Sequence, residues 1–76
     1  MTRNQKMAIE ILRMLDSGTR VEVGYYTGDD SLVFAWSYEN KKLKIIDIFS
    51  FMDNAEAQRR FDEIKSVIEE LKANAD

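Results

Sequence analysis

Few residues in this chain have the type and spacing to do chemistry. Asp29 and Asp30 follow Gly28 and form the one adjacent carboxylate pair in a loop. A hard cation takes six or more oxygens, and beyond Ser31 the neighbouring residues supply no further ligand, so the pair reads as a solvated turn. Asp47 sits inside an apolar run, where a carboxylate must find a partner or shift its pKa; a structural role is expected of it. The chain has neither His nor Cys, which removes thiol nucleophiles, imidazole bases and thiolate or imidazole metal sites. Gly18, Gly24 and Gly28 are scattered and build no phosphate-cradling loop. The expectation is no catalytic residue, no metal and no cofactor.

A second group is basic. Lys41, Lys42 and Lys44 lie near Trp36 and Tyr38, with Arg59 and Arg60 further on. Bases interleaved with aromatic rings can follow a nucleic-acid backbone while nucleobases stack. Against this, fourteen acids outnumber eleven bases and give a net charge of −3, and phosphate affinity rests on clustered cations. Nucleic-acid binding through these five residues is therefore the alternative expectation, not the leading one.

The elements that must position these residues fit one small domain spanning 1–76. A chain of this length buries only about 60% of its unfolded surface, and without cysteines it stands on packing alone. With 45% hydrophobic and 33% charged residues it has an ordinary globular composition. No secretory h-region and no membrane-length apolar run is seen, so a cytoplasmic location away from membranes is expected.

Met7, Ala8, Ile11, Leu12, Met14 and Leu15 recur at helical spacing, predicting a helix over about 4–17 with Gly18 as its left-handed cap. Period-two alternation then predicts strands over about 19–26, 31–38 and 42–49. Thr27–Asp30 and Glu39–Lys42 serve as the reversals. Asp53 opens a last helix over about 53–73, and Glu56 is placed to complete a capping box. Ala57, Phe61, Ile64, Ile68, Leu71 and Ala75 are spaced as one apolar stripe, assigned to the core rather than to a coiled-coil seam. Arg59–Glu63 and Glu56–Arg60 are expected as ion pairs four apart. The fold expected is α+β, in the order α-β-β-β-α, with both helices on one face of a three-stranded antiparallel meander.

Register follows from the pattern. Setting Tyr26 opposite Ser31 puts Val21, Val23, Tyr25, Leu32, Phe34 and Trp36 on one face, the side expected under the helices. Setting Tyr38 opposite Leu43 adds Tyr38, Leu43, Ile45 and Phe49 to it, with Asp47 as a polar exception. Tyr26, Val33, Ala35, Ile46 and Ile48 then make an apolar patch on the other face, the kind of surface that marks an interaction site.

In element order and length the chain resembles double-stranded RNA-binding domains. That family carries a Gly-rich approach and several lysines at the start of its last helix. Here Ser50-Phe51-Met52-Asp53-Asn54-Ala55-Glu56-Ala57 has two acids and no Lys, so no RNA-contacting residue is carried over. The leading expectation is a non-enzymatic protein-binding module, of inhibitor or adaptor type. It would occupy a partner's surface, or that of a second copy, through the patch on the second face.

Overall fold

The computed structural model describes residues 1–38 and 42–74, in the order α1 (Arg3–Met14), β1 (Val21–Tyr26), β2 (Ser31–Tyr38), β3 (Lys42–Ile48) and α2 (Asn54–Ala73). The strands form one antiparallel sheet in the order β1-β2-β3. This is the expected α-β-β-β-α architecture, and both helices pack on one face. Met7, Ala8 and Ile11 of α1 meet Leu32, Phe34, Ile46 and Ile48 of the sheet and Ala57, Phe61, Ile64 and Ile68 of α2 in one core. Burying an aliphatic or Phe side chain of this kind stabilises by about 1.5–3 kcal/mol.

The helix ends follow local chemistry. Thr2 caps α1, accepting from the Gln5 amide while the Gln5 side chain accepts from the Thr2 amide, a full capping box. The helix stops three residues earlier than the periodicity suggested, with Leu15 already extended. Gly18 is thus not its cap. With φ +104° it occupies the third position of the turn closed by the Thr19 amide on the Asp16 carbonyl, a conformation other residues resist. Leu12 turns to solvent rather than joining the apolar face.

At α2, Asp53 accepts from the Glu56 amide as anticipated. The Glu56 carboxylate does not complete the box: Arg59 and Arg60 both bind it, so Arg59 pairs back to Glu56 instead of forward to Glu63. First Arg59 and then Arg60 hold the Glu56 carboxyl down at about 2. Its folded pKa lies below the unfolded value, so its stabilisation is complete above about pH 4.5 and is lost as pH falls through about 2. Urea midpoints measured across that window should fall with pH, and Glu56→Gln should flatten the slope. An unchanged slope in the variant would refute the assignment.

A polar latch fastens α1 to the loops at one end of the sheet. Arg3 donates to the carbonyls of Met52 (2.6 Å) and Phe49 (2.8 Å) and to Asn54 Oδ1 (3.0 Å). Asn4, 1% exposed, donates through Nδ2 to the carbonyls of Asp30 (2.8 Å) and Ile48 (3.2 Å) and accepts from Arg3 Nε (2.9 Å). Asp30 has φ +51°, a left-handed conformation that Asp tolerates better than most residues. Its Oδ1 accepts from both Tyr25 Oη and Thr2 Oγ1. Those bonds, Tyr25's foremost, keep its carboxyl below the ordinary aspartate range.

The first hairpin has the expected register, with Tyr26 opposite Ser31. The second is shifted by one: Tyr38 faces Lys42, not Leu43. A one-residue slip turns every side chain of the strand over. Ile46 and Ile48 therefore enter the core, 7% and 0% exposed, while Leu43, Ile45 and Asp47 face the other way. The exchange keeps the Asp47 carboxylate out of the apolar layer, where an unpaired charge would cost several kcal/mol. The compensating loss is exposure of Leu43 and Ile45.

Candidate functional site

The helices leave the second face of the sheet uncovered, and its residues stand in cross-strand rows. Glu22, Ala35 and Ile45 form one row; Gly24, Val33 and Asp47 form the next. Ser37 and Leu43 flank one end, Tyr26 and Ser31 the other. The central strand contributes short side chains, so Ala35 is only 6% exposed although it points away from the core. Its taller row neighbours on both sides shield it. The face is therefore a trough, with Val33, Ala35 and Ser37 as floor and the side chains of β1 and β3 as walls.

Gly24 belongs to this shape. The Tyr26 ring lies back over it, and a Cβ at Gly24 would stand 3.3 Å from ring atoms. The space between these walls opens into two hollows. One, about 360 Å³, runs from Glu22 past Gly24 to Val33; the other, about 280 Å³, lies between Glu22, Ala35 and Leu43. At the Tyr26 end Phe51 stacks on Phe49, ring centroids 5.3 Å apart and 5° from parallel. Those rings line a third groove of about 500 Å³ with Asp29, Ser31 and Ser50.

Of the expected contact residues, Tyr26, Val33 and Ala35 lie on this face. Ile46 and Ile48 do not, for the register reason given above; Leu43 and Ile45 take their place, 65% and 54% exposed. Phe51, 84% exposed, was missed. Its signal in the sequence is the Phe-Ser-Phe spacing, which carries an apolar pair past the end of β3.

The structure places four of the five members of the basic group. Lys41 lies outside the described residues. Lys42 and Lys44 are on the helix side of the sheet, beyond the packed core. Arg59 and Arg60 are bound to Glu56, and Arg60 Nη1 also donates to the Asp47 carbonyl (2.9 Å). Five residues of extended chain, about 17 Å, separate that carbonyl from Lys42. Trp36 is partly buried and packs against Phe34, centroids 5.5 Å apart.

The carboxylates divide by role. Asp30 belongs to the latch, and Asp29 borders the Phe51 groove. Glu22 and Asp47 project from the two walls of the trough and make no ion pair among the described residues. No group of three potential ligands able to hold a metal is found among the described residues. Among the described residues no helix is long and apolar enough to cross a membrane. Comparison with known proteins gives no match: no family model fits this chain, and no curated protein or solved structure is similar enough to be matched to it.

Proposed function

We propose that this chain is a small non-enzymatic protein-binding module, acting as an inhibitor or adaptor by seating a partner protein on the open face of its sheet. One observation carries the reading. Among the described residues, four of the six large apolar side chains left exposed are Tyr26, Leu43, Ile45 and Phe51, on this face or at its rim. A scattered exposed Leu or Ile needs no explanation. Here Leu43 and Ile45 stand together on one edge strand, while Tyr26 and Phe51 stand at the opposite end of the same face. Apolar exposure gathered on one face of a small domain marks a contact surface. The contact set is Tyr26, Val33 and Ala35 with Leu43 and Ile45.

The reading is tested by Ile45→Lys and Leu43→Lys, with the partner identified by cross-linking in the native host. Both variants should keep the wild-type melting temperature, because neither side chain is in the core, and both should lose partner capture by about tenfold or more, as loss of a central interface contact does. Capture at the wild-type level by folded variants would overturn the proposal.

A further inference from the structure

We infer that the occupant of the trough is a basic amphipathic helix of the partner protein, a conclusion that rests on the binding role proposed above. Shape supports a convex occupant. The walls on β1 and β3 stand about 10 Å apart across β2, and β2 gives a floor about 25 Å long. A helix, about 10–12 Å wide with its side chains, is too wide to enter between the walls. It lies along their rims with one row of side chains pointing down, and about 15–17 residues of it cover that length. Its apolar ridge would lie over Val33 and against the flanks of Leu43 and Ile45, passing above the shielded Ala35.

Charge chooses the flanks of that helix. Glu22 rises from one wall and Asp47 from the other, both without an ion-pair partner among the described residues. They lie one row apart, about 12 Å between backbones. Lys or Arg on either side of an apolar ridge reaches both, its stem lying over the wall and its charge at the rim. Arg20 lines the hollow with Glu22 at the Leu43 end, and in the two central rows the charged side chains are Glu22 on one wall and Asp47 on the other.

A second copy of this chain fits poorly. Two copies face to face would set trough against trough and acidic rim against acidic rim.

The test uses the full chain and two synthetic peptides of about 16 residues with one Leu/Ala ridge, flanked in one by Lys and in the other by Glu. Binding is followed by amide chemical shifts. The Lys-flanked peptide should shift Val33, Ala35 and Ile45 and bind about tenfold or more tighter than its Glu-flanked counterpart. Glu22→Gln and Asp47→Asn should each weaken it roughly twofold to fivefold, and Ile45→Lys should abolish it. Equal binding of the two peptides overturns the basic-helix assignment. So does binding of neither, and if Ile45→Lys still loses the host partner, the protein-binding reading stands without it. Peptide shifts that persist in Ile45→Lys, together with undiminished capture of the host partner, overturn both. A concentration-dependent dimer whose contact shifts map to the trough replaces the helix by a second copy.

Discussion

Ile46→Ala should lower the stability of the domain by about 2–5 kcal/mol, the usual cost of a large-to-small change in a core. The same change at Ile45 should cost under about 1 kcal/mol. The two residues are chemically identical neighbours, and only the strand register separates them. Ile46 is 7% exposed against Phe34, and Ile45 is 54% exposed beside Ala35. A domain of 76 residues has about 4–11 kcal/mol in total at the usual value per residue, so the Ile46 variant loses a large share. A charged residue at Ile46 or Ile48 should prevent folding. Urea unfolding followed by circular dichroism measures the difference. If Ile45→Ala proves the costly change, Tyr38 pairs with Leu43 after all, and the contact surface returns to Ile46 and Ile48.

Asn4→Ala should cost about 2–4 kcal/mol, a large effect for a polar residue in the first turn of a helix. The reason is the direction of its bonds. Its amide supplies protons to two carbonyls, those of Asp30 and Ile48. Removing the donor leaves buried acceptors unpaired, at about 1–3 kcal/mol each. Asn4→Leu should not rescue the loss, because it restores volume and not the donor. A cost below about 0.5 kcal/mol for Asn4→Ala in urea unfolding would show that water satisfies the carbonyls and that the latch is incidental.

The elements were legible because each has a strong period. Ala57, Phe61, Ile64 and Ile68 could only be one face of a helix, and the alternation around Val21, Val23 and Tyr25 could only be a strand. The first hairpin was legible too, since β1 alternates cleanly and β2 sets large Leu32, Phe34 and Trp36 against smaller Val33, Ala35 and Ser37. Leu43 to Phe49 does not. It is apolar at both parities, with Leu43, Ile45 and Phe49 in one set and Ile46 and Ile48 in the other. Either register buries branched side chains, and the choice turns on Asp47, whose desolvation outweighs the exposure of two aliphatic groups. That ambiguity displaced two members of the contact surface while leaving Tyr26, Val33 and Ala35 in place. The latch was illegible for another reason. Arg and Asn in a first helical turn look like solvated residues, and their partners are main-chain carbonyls, which no side-chain pattern reveals.

That latch also bears on how the chain reaches its fold. Arg3 bonds to groups 46, 49 and 51 residues away, so the loop entropy must be paid before those bonds form. During synthesis at about 5–20 residues per second, α1 emerges first, and its partners follow roughly 3–10 s later. Until β2 has been made, at Tyr38, Met7, Ala8 and Ile11 have no sheet to cover them. The helix is made before its sheet but fastened after it: the Arg3 latch cannot close until Asn54 has left the ribosome.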